Sequence, residues 1–226
     1  MNYQIIKDEK ALWEFINFLP ELQQNEKYYL SLFARKKYAP DVIRSSDKTQ
    51  LKRFLSNKEK MFDKIKQLEC ELGAYKIKDK DAPQHALVLY ISPNPRDIKK
   101  ATYQLIKKAV NLLESNNNNY NIHQEAMSCI QRSRGTGYFV DFDIDTKNID
   151  LTKLNKILPR DTYHIIETNG GYHILVESKS APKTKWFKEI TNTFDVDQTG
   201  DQLLPVPGCV QGDFIPRFLK YKLTYN

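Results

Sequence analysis

The chain has little of what would tie it to several common classes of protein. Only three of its 226 residues are cysteine, Cys70, Cys129 and Cys209. They are far apart and show neither a paired framework nor C-x-x-C spacing, which excludes a disulfide scaffold and a zinc ribbon and leaves reduced, mostly buried thiols. No apolar run approaches membrane-spanning length. The opening MNYQIIKDEK lacks the apolar core of a signal peptide. A soluble cytoplasmic protein with no membrane partner is the expectation. Internal repeats and an obvious flexible linker are also missing.

What is present argues for an ordered protein with a basic surface. Hydrophobic residues make up 40% and aromatics 12%, enough to bury a core in one compact unit of two modules, residues 1–128 and 129–226. A net charge of +7 and a pI near 9.1 suit a polyanionic partner, because clustered Lys and Arg release counterions from phosphates. Basic proteins without such a partner share this excess. The run of four asparagines at 116–119 needs no more than compositional bias.

Apolar spacing predicts helices over 10–19, 47–73, 94–115, 121–133, 148–158 and 182–193. Asp47 and Gly73 read as the ends of the second, and Asn94 with Pro95 as the start of the third. Strands are predicted over 27–38, 85–93, 138–145, 163–168, 172–177 and 218–224, with Asn169-Gly170-Gly171 as a hairpin turn. The first half alternates strand and helix. The second reads as an antiparallel sheet with helices on one side, so the fold class is α+β.

The stretch YFVDFDID (138–145) places Asp141, Asp143 and Asp145 on one face of a strand and Val140, Phe142 and Ile144 on the other. Carboxylates spaced roughly 6 to 7 Å along one face raise each other's pKa unless a positive group intervenes. A divalent cation would neutralise them; a solvated acidic face is the other reading. In ETNGGYHILVE (167–177), Gly170 and Gly171 permit a turn with positive φ and a close approach of ligand, and His173 follows on the returning strand. The alternative is a plain hairpin with a satisfied histidine. His164, on an apolar strand, reads as structural, and His85 and His123 join no constellation.

The order of these motifs, followed by FDVDQTGDQLLPVPGCVQGDF (194–214), resembles the archaeo-eukaryotic primase superfamily, including primase-polymerases of plasmids, phages and mobile elements. YFVDFD matches its Asp-apolar-Asp motif, TNGGYH its glycine-to-histidine motif, and Phe194-Asp195 its third. The match covers 138–214 well and the first 130 residues only as alternating helix and strand. It implies a primase-like core, with an N-terminal α/β module against an RNA-recognition-like antiparallel sheet and the active site in the cleft between them. It further implies two Mg²⁺ or Mn²⁺ ions on Asp141, Asp143 and Asp195. His173 with Thr168, Asn169, Gly170 and Gly171 would hold a nucleoside triphosphate. Asp197 also follows an apolar residue and competes for the third position. Asp145 is given an accessory or helix-capping role. Many relatives carry basic residues around the Pro-Gly of this last stretch; here there are none, and Arg132, Arg134, Arg217 or Lys220 would have to meet the triphosphate.

Arg35, Lys36 and Lys37, then Lys52 and Arg53 at the start of the expected 47–73 helix, and Arg96, Lys99 and Lys100 at the start of the next, suit template phosphates. Tyr28, Tyr29 and Tyr38 either stack on unpaired bases or belong to the core. The function implied is template-directed nucleotidyl transfer, as a DNA primase, a polymerase or both. Its partners would be a single-stranded DNA template and primer, with a separate helicase or accessory protein. Two rivals stay open, a non-catalytic nucleic-acid-binding relative and a metal-dependent nuclease. A rolling-circle replication nuclease is disfavoured because no His-apolar-His pair occurs.

Overall fold

The computed structural model describes residues 1–43, 47–114, 121–183 and 185–219. It is α+β, with two five-stranded antiparallel sheets. In the first half the elements are α1 (Glu9–Phe18), β1 (Glu26–Arg35), β2 (Lys48–Ser56), α2 (Met61–Lys66) and the two-residue strands β3 (Lys76–Ile77) and β4 (Lys80–Asp81). Then come β5 (Leu87–Ile91), β6 (Arg96–Asp97), α3 (Ile98–Glu114) and α4 (Ile122–Arg132). The second half holds β7 (Phe139–Ile144), α5 (Leu151–Ile157), β8 (Tyr163–Glu167), β9 (Tyr172–Glu177) and α6 (Trp186–Thr193). It ends with β10 (Val196–Gly200), β11 (Leu204–Pro205) and β12 (Arg217–Phe218). Among the described residues no helix is long and apolar enough to cross a membrane.

The first sheet runs β11-β5-β1-β2, with β6 also paired to β1. Strand alternation on β1 sends Leu30, Leu32 and Ala34 into a core shared with Leu12, Phe15 and Ile16 of α1 and Met61 and Ile65 of α2. The second sheet runs β10-β7-β9-β8-β12. Four of its strands and two helices follow one another as β-α-β-β-α-β. One face packs Phe142, Ile144, Ile165 and Ile174 against Leu154 of α5 and Ile190 of α6. The other face contributes Phe139, Ile166 and Leu175 to the first core, so the two modules are joined by continuous apolar packing.

Two expectations need correction. Residues 47–73 are not one helix: β2 pairs with β1 along Tyr28–Arg35, and only Met61–Lys66 is helical. The spacing of Leu51, Phe54, Leu55, Met61 and Ile65 mimics a helical stripe, but Leu51 and Phe54 reach the same core from a strand, where sheet pairing outweighs propensity. Asn94 does not cap α3, which begins at Ile98 with the Asp97 carboxylate accepting the Lys100 N–H at 2.9 Å. Asn94 instead acts as a strand partner: its Oδ1 accepts the Phe139 N–H and its Nδ2 donates to the Phe139 carbonyl, both at 2.9 Å. Packing crosses between residues 1–128 and 129–226: β11 pairs with β5, and Leu204, Val206, Cys209 and Val210 sit in the first core. The strand expected over 218–224 lies mostly outside the described residues, as do Lys220 and the asparagine run.

Candidate active-site cleft

Pinning of β7 sets the site. Asn94 holds its first residue, and the buried Glu26 carboxylate accepts the Thr136 N–H (2.6 Å) and hydroxyl (2.7 Å) just before it. Flanked by β9 and β10, β7 directs Phe142 and Ile144 to one core and Asp141 and Asp143 to the opposite face. Asp143 lies directly across from His173 on β9, and Asp141 across from Leu175.

These two aspartates have unlike surroundings. The Asp141 side chain has no solvent exposure, and His173 Nδ1 donates to both its oxygens at 3.0 and 2.9 Å. The Asp143 side chain is 29% exposed, with Oδ1 3.6 Å from His173 Nε2. Burial alone would lower the His173 pKa, but the charge and hydrogen bond of Asp141, aided by Asp143 and Asp145, leave it raised. Burial raises the Asp143 pKa; His173 opposes this, while Asp141, Asp145 and Asp197 add to it.

A cleft of about 590 Å³ opens where the sheets meet. Asp143, Asp145 and Asp197 form an acidic side with His173, Thr168 and Gly170, and Arg35, Lys37, Lys48 and Arg132 a basic one; Arg96 and Asp201, paired with each other, also line the cleft. Arg35 donates to the Tyr90 hydroxyl at 2.8 Å. Burial, then the nearby Arg35 charge, lower the pKa of both Lys37 and Lys48. At the inner end Arg96, 4% exposed, is ion-paired with Asp201 and donates to Ser92 Oγ at 2.6 Å.

Of the expected metal ligands only Asp143 lines the cleft; Asp141 and Asp195 do not. The ladder between β10 and β7 slips between Val196 and Gln198, so Asp197 is the extra residue of a bulge, which re-aims a side chain. Asp195 lies before the strand, where its carbonyl accepts the Asp145 N–H at 3.2 Å. Asp145 lines the cleft rather than capping a helix; α5 is capped by Asp150, whose carboxylate accepts the Thr152 and Lys153 amides.

The glycine hairpin is present, but neither Gly170 nor Gly171 has positive φ. Glycine is required at 171 by the protein itself, since a Cβ there would lie 1.9 Å from the Ile144 carbonyl oxygen. Asn169 is held from outside, its N–H donating to Gln211 Oε1 at 2.9 Å. The Pro-Gly at 207–208 is likewise explained by packing. Gly208 has φ +80°, its carbonyl accepts the Lys7 and Asp8 amides at 2.9 Å, and a Cβ would lie 2.5 Å from the Leu12 nitrogen at α1.

Among the basic residues, Arg35 and Lys37 reach the cleft, while Lys36 does not line it. Lys52 and Arg53 lie on β2 instead of opening a helix, and Arg53 donates to the Gln124 carbonyl of α4 at 3.2 Å. Arg134 does not line the cleft; its Nε is 4.0 Å from Asp201. Tyr28 and Tyr29 are fully buried, with the Tyr28 hydroxyl donating to the Pro20 carbonyl at 2.6 Å; they are core residues. His164 pairs with Glu177 at 2.9 Å and edges the Phe18 ring. Lys48 and Tyr90 were not singled out by sequence. A strand reading of 48–56 would have brought Lys48 beside Arg35, its partner on β1.

The donors on the acidic side are hard oxygens; burial is the first cause of the raised Asp143 pKa, and Asp141, Asp145 and Asp197 add a smaller repulsion of the kind a cation would relieve. Among the described residues no three His, Cys, Asp or Glu side chains are gathered as a ready metal site. No family model, curated protein or solved structure matches this chain.

Proposed function

We propose that the chain is a template-directed nucleotidyltransferase of the archaeo-eukaryotic primase type, acting as a DNA primase, a polymerase or both. The observation that carries this is the opposition of Asp143, Asp145, Asp197 and His173 to Arg35, Lys37 and Lys48 across one cleft. Such a space suits a nucleoside triphosphate accompanied by a cation: carboxylates on one side, phosphate-binding cations on the other. The spatial order β10-β7-β9-β8 also agrees with the RNA-recognition-like sheet that the resemblance implies.

In this reading Asp143, Asp145 and Asp197 would hold Mg²⁺ or Mn²⁺. Bound there, the ions supply activation of a primer 3′-hydroxyl and neutralisation of charge on the departing pyrophosphate. His173 contributes a donor facing the phosphates. Arg35 and Lys48 take the place of the basic residues missing around Pro207-Gly208, and Arg132 of α4 extends the basic side toward a template.

The test is incubation of the purified protein with single-stranded DNA, ribo- or deoxynucleotides and Mg²⁺ or Mn²⁺, with and without a primer. Metal-dependent product that disappears in D143N supports the reading. Labelled fragments released without added nucleotides would assign a nuclease instead. DNA binding with no incorporation under any metal would assign a non-catalytic binder, a reading motivated by the missing basic residues around Pro207-Gly208.

A further inference from the structure

We propose that Asp141 is a positioning residue for His173 and not a metal ligand, a role that rests on the reading of the cleft given above. Asp141 and Asp143 share a strand face two residues apart, yet one carboxylate is sealed and the other open, at 0% and 29% exposure. The direct neighbours of Asp141 across the ladders are Leu175 on β9 and Gly200 on β10. Neither offers a polar side chain. His173, diagonal to it, supplies the contact, with Nδ1 within 3.0 Å of both oxygens.

Two consequences follow from that contact. A buried carboxylate without a partner is costly, and so is a buried imidazole, so each holds the other in place. With Nδ1 committed to Asp141, the ring cannot turn over, and Nε2 is the nitrogen left facing Asp143 and the cleft. Asp141 thus keeps His173 from swinging onto Asp143 as a closer partner, which would occupy a carboxylate needed for a cation. The arrangement is that of an outer carboxylate that fixes the orientation of an imidazole whose second nitrogen does the work.

The experiment compares wild type, D141N, D143N, H173Q and D141N/H173Q, all checked for folding by thermal denaturation. Mn²⁺ binding is followed by electron paramagnetic resonance without nucleotide. D141N is expected to bind Mn²⁺ within about twofold of wild type, whereas D143N loses binding. D141N lowers primer extension by about 10- to 100-fold, as loss of an orienting partner does elsewhere. The double variant is no worse than H173Q alone, because the two residues act as one unit. Nitrogen-15 spectra of the His173 imidazole are expected to change in D141N. Loss of Mn²⁺ in D141N equal to that in D143N, or additive losses in the double variant, would overturn the positioning role. Should D141N fail to fold, H173Q in the wild-type background decides: unaltered primer extension there would overturn it. A wild-type protein that binds no Mn²⁺ would instead sink the metal reading of the cleft, and the imidazole signal would still decide whether Asp141 orients His173.

Discussion

Asp143 and His173 face one another directly across the β7–β9 ladder, with Oδ1 3.6 Å from Nε2. Asp143 is therefore the carboxylate at the centre of the site, open to the cleft yet crowded by Asp141, Asp145 and Asp197. Replacing it with Asn should reduce metal-dependent incorporation by about 100-fold or more, the scale of several kcal/mol that a bound cation contributes to phosphoryl transfer. Because its pKa is raised in the fold, its charge disfavours folding above its ordinary value of 3.8. Metal-free D143N at pH 7 should accordingly melt no lower than wild type, measured by calorimetry.

Arg35 faces the cleft from β1, and its neighbour across the sheet is Lys48. R35A and K48A should each weaken triphosphate binding by roughly 10- to 150-fold, with a shallower salt dependence, since each would remove a proposed charge-assisted contact of about 1.5 to 3 kcal/mol. K52A, on the exposed side of edge strand β2, should leave nucleotide affinity within about twofold. Fluorescent-nucleotide titration distinguishes the two sides of the sheet.

Gly171 and Gly170 should respond very unequally to alanine. At 171 the new methyl meets the Ile144 carbonyl at 1.9 Å; at 170 its nearest contact is Asp145 Oδ1 at 3.4 Å. G171A should cost on the order of 3 kcal/mol or prevent folding, by forcing the hairpin off β7. G170A should stay within about 0.5 kcal/mol. Urea denaturation measures both.

The Arg96–Asp201 pair ties β6 to the segment between β10 and β11. Its two side chains are 4% and 14% exposed, and Arg96 Nε has no protein partner. D201A strands a buried guanidinium and should destabilise by about 3 to 5 kcal/mol; an apolar replacement of both residues should recover much of that loss. Recovery of stability without recovery of nucleotide binding would show that Arg96 also serves the cleft.

Glu69 clamps the N-terminal segment: its Oε1 accepts the Ile5 and Ile6 amides at 3.0 and 2.9 Å, and Oε2 pairs with Lys66. Burial pushes its pKa up, but Lys66 and the two amides outweigh this and leave it below 4.5. The stabilisation is thus complete above 4.5 and is lost as pH falls through the lower folded value. The melting temperature of E69Q should fall less steeply than that of wild type over that acidic window.

Much of this protein could be read locally. The hairpin of β8 and β9, the helices α1, α3, α4 and α6, and the two faces of β7 follow from turn residues and periodicity that act within a few positions. Residues 47–73 could not be read this way, because Leu51, Phe54, Met61 and Ile65 satisfy a helical spacing equally well, and β1, at 26–35, decided otherwise by pairing with 48–56. Which of two aspartates lines the cleft was hidden for a similar reason. Asp195 and Asp197 both follow an apolar residue, and a slip in the β10 ladder, invisible in the sequence, turned Asp197 to the cleft.

The amino-acid order alone determined that Asp141, Asp143 and His173 belong to strand faces turned away from Phe142 and Ile144, because side-chain alternation is a property of the extended backbone. Which of those aspartates meets solvent was decided by the tertiary structure. Leu175, Ile166 and Phe139 on that same face merge with the core under β1, and this cover seals Asp141 while leaving Asp143 at the open end. Arg35, Lys37 and Lys48 on the basic side opposite come from roughly a hundred positions earlier in the chain. Burial and charge neighbourhood depend on what packs over a face, and local periodicity carries no record of that partner.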